Sequence, residues 1–279
     1  MSAGDERGRD QAERAGALDD AFFDLAHVHD TAGIAARAAS LFGAGYGGRP
    51  GVLHVTAVDG NTGRTLRIDE HTPKCLADTF ALNLVRVRAE AIVITGKLLR
   101  DEPGLSYAPG APGAPCPALA TFRQQLGHTA PPWLVIMTRG ADLPLDHPVF
   151  HDGHTRPLVY GPEEGVAPLR TQTAAEVVGA AHDGGLPQLI ETLRARGAHT
   201  VSFEAGPSTT RHLYDAESPR VDELLLSTYR GAPLAESQLA GAAPSPPAGF
   251  TDAGVGTVVH AVSGPWHFAW FKRGRSGLG

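Results

Sequence analysis

The chain has 279 residues, of which 42% are hydrophobic and 19% charged, with a formal net charge of −6. That is enough apolar material for one large domain or a domain with extended ends, and a mildly acidic balance excludes a general attraction for nucleic acid or anionic membrane. No apolar run reaches membrane-spanning length, residues 1–20 lack the apolar core of a secretory signal, and Cys75 and Cys116 alone do not make a disulfide framework, so a cytoplasmic protein with reduced thiols is expected.

Residues 1–20 are rich in Asp, Glu, Arg, Gly and Ala and read as a disordered or loosely helical lead-in. Residues 21–42 carry Phe22, Leu25, Ile34, Ala38 and Leu41, which suits a docked helix, and residues 43–51 form a glycine-rich hinge. The division expected is therefore an N-terminal extension over 1–48 and one domain over 49–279. Residues 52–58 make a strand ending at the Asp59-Gly60 turn signal. Residues 73–88 follow helical spacing, with Leu76, Phe80, Leu84 and Val87 on one face. A short, wholly apolar strand follows at 91–94.

Residues 106–131 are rich in Pro, Ala and Gly and read as a loop, either a linker or a substrate lid. Strands are expected at 133–138 and 157–160. A helix carries Leu186, Leu189, Ile190 and Leu193 and stops at Gly197. Further strands fall at 200–203, 223–228 and 258–262, with 266–271 closing an edge hairpin, and residues 241–250 read as a loop. Strands alternating with helices predict a mostly parallel sheet covered on both faces, with an antiparallel edge where the last two strands follow directly. Trp133, Trp266 and Trp270 read as core or dimer-edge packing.

Ligands of an open parallel sheet bind at the carboxyl ends of its strands. Four such ends here carry Asp59-Gly60, Thr95-Gly96-Lys97, Thr138-Arg139-Gly140 and Glu204-Ala205-Gly206-Pro207. The last is a small-residue turn straight after a buried strand. It lets backbone N–H groups approach a ligand closely, and Ser208, Thr209 and Thr210 supply caps and hydroxyls. It would serve equally as an ordinary tight strand–helix turn. Thr138-Arg139 combines a hydroxyl with a guanidinium suited to phosphate, and Lys97 suits a phosphate or a substrate carbonyl. Each of these would also stand as a solvated side chain. His147, His151 and His154 with Asp146 and Asp152 have metal-ligand chemistry, but Pro148 breaks any helix that would set them on one face. A solvated loop is the expectation there, with no metal.

In this order the pieces resemble the reductase domain of the riboflavin-biosynthesis deaminase/reductase family, within the dihydrofolate-reductase-like superfamily. That family carries Ser-x-Asp-Gly, then Leu-Arg, an apolar strand, Gly-x-Gly-Thr-x-x-x-Asp-Asp-Pro, a strand ending in a polar residue, Glu-Gly-Gly-Pro and Val-Asp-Glu-Leu. The counterparts are Ala57-Val58-Asp59-Gly60; Val85-Arg86; the strand at 91–94; and Gly96-Lys97-Leu98-Leu99-Arg100-Asp101-Glu102-Pro103. The strand at 133–139, Glu204-Ala205-Gly206-Pro207 and Val221-Asp222-Glu223-Leu224 complete the set. The match runs from about residue 51 to 232. The departures are Ala57 for serine, Lys97 for threonine, Ala205 for the first glycine, and Ala108 where a phosphate-holding arginine usually stands. The deaminase often fused to this reductase needs Pro-Cys-x-x-Cys for its zinc, and the chain has no Cys-x-x-Cys.

The resemblance implies a three-layer α/β/α sandwich with a mostly parallel central sheet and an antiparallel edge hairpin. It also implies NADPH as cofactor and a homodimer. The function expected is hydride transfer to a C=N or C=O of a small pyrimidine- or ribosyl-like substrate. Asp101 and Lys97 are the catalytic candidates, as proton source and charge stabiliser. Gly96, Thr138, Arg139, Glu204, Ala205, Gly206, Pro207 and Thr209 are candidates for the cofactor, and Asp59 and Arg86 for the substrate. Two alternatives stay open: a degenerate relative that binds a nucleotide or metabolite without turnover, and dihydrofolate reduction itself.

Overall fold

The computed structural model describes residues 17–47, 49–104, 106–107, 110–111, 114–140, 142–181, 185–215, 220–246, 249–252 and 256–274. In chain order the elements are β1 (Leu18–Asp19), α1 (Thr31–Phe42), β2 (Gly51–Asp59), β3 (Arg64–Leu66), α2 (Leu76–Arg88), β4 (Ala91–Thr95) and α3 (Gly96–Asp101). Next come β5 (Gly110–Ala111), β6 (Ala114–Pro115), α4 (Pro117–Gln125), β7 (Trp133–Met137), β8 (Arg156–Pro162), α5 (Glu163–Val166), β9 (Glu176–Ala180) and α6 (Gly185–Ala195). The chain finishes with β10 (Thr200–Phe203), α7 (Pro207–Thr210), β11 (Glu223–Tyr229), β12 (Leu239–Ala242), β13 (Phe250–Asp252), β14 (Thr257–Ala261) and β15 (Gly264–Arg273).

The main sheet runs β1-β14-β15-β11-β2-β10-β4-β7-β8-β9. From β11 to β9 every neighbour is parallel. At the other side β15 pairs antiparallel with β11 and closes a hairpin with β14. Both faces of the central parallel strands are covered, which is why β4 and β7 read as continuous apolar runs. In β4, Ala91 and Val93 pack with the α6 residues Leu186, Leu189, Ile190 and Leu193. Ile92 and Ile94 face the other way, with Leu134, Ile136 and Leu99. Helices α1, α2 and α4 pack together on that second face with β2, β11 and β15.

Four sequence expectations need correction. Residues 106–131 are not one loop, because Pro at the first helical position and the buried Ala118 and Leu119 set helix α4 inside that stretch. The helix expected from 73 begins at Leu76, whose own side chain is 40% exposed. Residues 241–250 include the end of β12 and the first residue of β13. Strand β9 was not expected; its Glu-Val-Val-Gly-Ala sequence is too short and too small-sided to stand out from its flanks.

The lead-in also takes part in the fold from residue 18. Leu18 and Asp19 pair parallel with β14, and Phe23, Leu25, Val28, Ile34, Leu41 and Phe42 join the α2 core. Asp20 is buried, and its carboxylate accepts the Leu76 and Ala77 N–H groups, each at 2.9 Å. It thereby caps α2 from a distance of 56 residues, where Cys75 offers no side-chain cap. Trp266 and Trp270 are core residues. Among the described residues no helix is long and apolar enough to cross a membrane.

Candidate functional site

A difference in strand length makes the site. Strand β2 runs for nine residues, but its neighbour β10 stops at Phe203, opposite His54. On its other side β10 reaches only Val93 of β4. Beyond Phe203 the sheet splits, and the turn Glu204-Ala205-Gly206-Pro207 floors the gap. Residues 55–57 flank it on one side and are half-buried, although β2 is buried before and after them. Thr95 and Gly96 flank it on the other. Strands β3 and β12 pair across the top, and Gly241 of β12 lies against Pro207. This is the carboxyl edge, where a parallel sheet places its ligands.

Gly206 is exposed, and apart from its chain neighbours no atom of the described residues lies within 4 Å of where a Cβ would stand. The turn is therefore open on the side from which a ligand would arrive. Gly140 and Gly165 do the opposite. Their backbones touch so closely that a Cβ on Gly140 would stand 1.8 Å from the Gly165 carbonyl oxygen, and one on Gly165 would stand 2.1 Å from that of Arg139. Gly140 also has φ +98°, which a side chain disfavours. These contacts fix the Thr138-Arg139-Gly140 turn, where the Thr138 hydroxyl accepts the Gly140 N–H at 3.0 Å. The Arg139 side chain is left exposed, with no partner among the described residues. Gly96 is buried beside Thr138, so two of the candidate strand ends converge.

Beneath the turn lies a buried ion pair. Arg86, on the last turn of α2, donates to Glu204 through Nε at 3.0 Å to each oxygen and through Nη2 at 2.6 Å, and both side chains are 6% exposed. The guanidinium also stands over the Tyr107 ring, 4.9 Å from its centroid. The Tyr107 hydroxyl is buried and meets no hydrogen-bond partner among the described residues. Burial drives its pKa up, against the pull of Arg86. Burial likewise raises the Glu102 carboxyl, with Arg86 opposing. A cation, two carboxyls and an unpartnered hydroxyl thus meet under one strand end.

The residues expected from sequence separate into groups. Arg86 and Glu204 come together, so Glu204 belongs to the ion pair as well as to the turn. Gly96, Thr138 and Arg139 form a second group, and Ala205, Gly206, Pro207 and Thr209 the turn itself. Lys97 and Asp101 pair with each other on the outer face of α3, 69% and 46% exposed. Asp59 is buried and turned into its own loop, where it accepts the Thr62 N–H at 3.0 Å and the Thr62 hydroxyl at 2.6 Å. Ala108 lies outside the described residues. The histidine-rich stretch spends its rings on the backbone: His147 Nε2 bonds the Glu102 carbonyl and His151 Nε2 that of Leu145. Sequence reasoning missed Tyr107. Its one signal is a lone aromatic among Pro, Gly and Ala.

No family model and no curated protein sequence matches the chain. Solved structures do. A pyrimidine reductase-like protein from Corynebacterium diphtheriae superposes with a TM-score of 0.61 at 19% identity, over 81% of this chain and 93% of that one. The riboflavin biosynthesis reductase Rib7 of Saccharomyces cerevisiae gives 0.51 at 15% identity, over 84% and 96%. RibD of Acinetobacter baumannii gives 0.52 at 16%, over 82% of this chain and 60% of its own. The likeness establishes the fold: a dihydrofolate-reductase-like α/β sandwich.

Proposed function

We propose that the chain is an NADPH-dependent reductase that delivers hydride to a polarised C=N or C=O of a small heterocyclic substrate, of the kind reduced by riboflavin-pathway pyrimidine reductases. The observation that carries this reading is the open Gly206 turn at the floor of the carboxyl-edge crevice, directly above the Arg86–Glu204 pair. The cradle fits a dinucleotide. Gly206 leaves space for backbone approach, Thr209 and Thr138 offer hydroxyls, and Arg139 is a free guanidinium for a 2′-phosphate. Bound there, NADPH would supply the hydride.

The chain's own residues do the rest. The Glu204 carboxylate holds the Arg86 guanidinium in one orientation, and that fixed positive charge stabilises negative charge developing on the acceptor. The Tyr107 hydroxyl offers the substrate a buried hydrogen bond that it does not spend elsewhere. Reduction of C=N or C=O also consumes a proton. Glu102, raised by burial, holds one closer to neutrality than an exposed carboxyl does. The Lys97–Asp101 pair lies exposed on the outer face of α3, the helix that ends at Glu102.

The test is a nicotinamide-oxidation assay paired with direct binding. NADPH should bind more tightly than NADH by about ten- to a hundred-fold, the value of one charge-assisted contact, and Arg139→Ala should erase most of that preference. Equal affinities in the unmutated protein would overturn the cofactor assignment. Binding of NADPH without oxidation across pyrimidine, pterin and simple imine substrates would favour the non-catalytic alternative. With Ala108 in place of an arginine, a substrate that needs a ribose phosphate at that position should turn over poorly. A kcat/KM at or above about 10⁴ M⁻¹s⁻¹ on the phosphoribosylamino-pyrimidine would refute that expectation.

A further inference from the structure

The opposite, amino edge of the sheet holds a cavity of about 210 Å³, across the starts of β4, β7, β8 and β10. Glu90, Arg123, His128, Trp133, Arg156 and Arg196 line it. Their charges do not cancel. Arg196 is paired with Glu176. Glu90 accepts the His199 and Thr200 N–H groups at 2.8 and 2.9 Å through one oxygen. Its other oxygen stands 3.8 Å from His128 Nδ1. Burial first, and then the charge of Arg123, hold the His128 pKa below its ordinary value. Arg123 and Arg156 are left facing a single carboxylate.

Both guanidiniums are fixed in place. Arg123 donates through Nη1 to the Ala89 carbonyl at 2.6 Å and through Nη2 to that of Ala130 at 3.1 Å. Arg156 donates through Nε to the Pro131 carbonyl at 3.0 Å and stands 4.2 Å over the Trp133 ring. No described residue takes the terminal nitrogens of Arg156. The Trp133 indole N–H is also buried, without an acceptor among the described residues. Burial pushes Arg123 down to about 10, with Glu90 opposing and the like charge of Arg156 adding to the effect. A second cation this close is the condition that an anion relieves.

We propose that this amino-edge cavity binds a small phosphate-bearing anion, with the free terminal nitrogens of Arg156 as its principal contact. The guanidinium fork matches phosphate oxygens in pairs. The volume falls below that of pockets for drug-sized ligands, so the occupant is inorganic phosphate or a short phosphomonoester, not a dinucleotide. The site is independent of the reductase reading, since it lies at the other end of the strands.

The experiment is a titration of ¹⁵N-labelled protein with inorganic phosphate, and separately with glycerol phosphate, at constant ionic strength with chloride as control. The indole N–H signal of Trp133 is the reporter, assigned by its loss in Trp133→Phe. A saturable shift with either probe is expected, and which probe binds more tightly identifies the source. Arg156→Gln should weaken binding by about ten- to a hundred-fold, and Arg156→Lys, which keeps the charge, should weaken it less. Arg139→Ala should leave the isotherm unchanged, which separates this site from phosphate held at the cofactor turn. A shift that does not saturate, a shift that chloride reproduces, or an isotherm that both Arg156 variants leave intact would overturn the proposal.

Discussion

Replacing Glu204 by alanine isolates the central electrostatic feature of the crevice. The variant removes three contacts, at 3.0, 3.0 and 2.6 Å, and leaves a guanidinium that is 6% exposed. Arg86 cannot shed its proton, so its desolvation is no longer offset. Removing one partner of a buried pair costs about 3–5 kcal/mol. At roughly 2–4 °C per kcal/mol for a domain approaching this size, the melting temperature should fall by about 6–20 °C. Replacing both partners, Arg86→Met with Glu204→Leu, removes both desolvation penalties and should recover most of that loss. Thermal unfolding followed by circular dichroism, in low and high salt, is the assay. Because the pair is buried, salt should change the difference little. A fall of less than about 2 °C for Glu204→Ala, or a double variant as unstable as the single, would refute the reasoning and show the pair to be solvated.

Tyr107→Phe removes a buried hydroxyl without a partner, so the free protein should gain about 1 kcal/mol while substrate affinity drops; unchanged affinity would remove Tyr107 from the site. Gly140→Ala and Gly206→Ala should behave oppositely. The first forces a Cβ to 1.8 Å from a carbonyl oxygen at φ +98° and should cost several kcal/mol or prevent folding. The second meets open space and should fold normally, and the larger Gly206→Val should abolish NADPH binding in a folded protein; normal binding would make the turn purely structural. His54 is buried against the Tyr214 hydroxyl at 2.6 Å, and burial pushes its pKa down to about 3. The unfolded chain takes that proton near the ordinary 6.5. Between those values the unfolded state binds more protons, so stability falls as pH falls from 6.5 towards 3, by about 1.4 kcal/mol per pH unit from this residue. His54→Gln should flatten the urea-midpoint profile by that slope, and an identical profile would contradict it.

The parallel core was legible because its signal is local. The runs at 91–94 and 133–137 are apolar on both faces, those at 52–58 and 200–203 are apolar on at least one, and turn residues follow them. The elements that escaped depend on partners far along the chain. Helix α2 itself was legible, but its start at Leu76 was not, because Asp20, 56 residues earlier, caps it and nothing near Cys75 announces that cap. Strand β3 exists because β2 and β12 offer it edges. The candidate site was legible as strand ends but not as contacts. Arg86 and Glu204 were each visible, yet their pairing spans 118 residues and follows from the course of α2 across the sheet. Asp59 and Lys97 looked reactive because their types are reactive. What sequence does not carry is the direction each side chain takes, into the 60–63 loop for the first and toward Asp101 for the second.

Helix α2 connects the two edges of the sheet. Its Arg86 side chain runs back along the helix to Glu204, as helical side chains do, while the carbonyl of the same residue accepts from Arg123 Nη1 at 3.4 Å, with those of Val87 and Ala89 at 3.1 and 2.6 Å. One guanidinium therefore satisfies carbonyls that the end of the helix leaves unpaired, and it does so from the wall of the amino-edge cavity. The orientation of Arg86 in the crevice depends on where the last turn of α2 sits, and Arg123 is what holds that turn. From Arg123 through the end of α2 to Arg86 and Glu204 the contacts are hydrogen bonds of buried or part-buried guanidiniums, and Arg156 enters only as a like charge acting on Arg123.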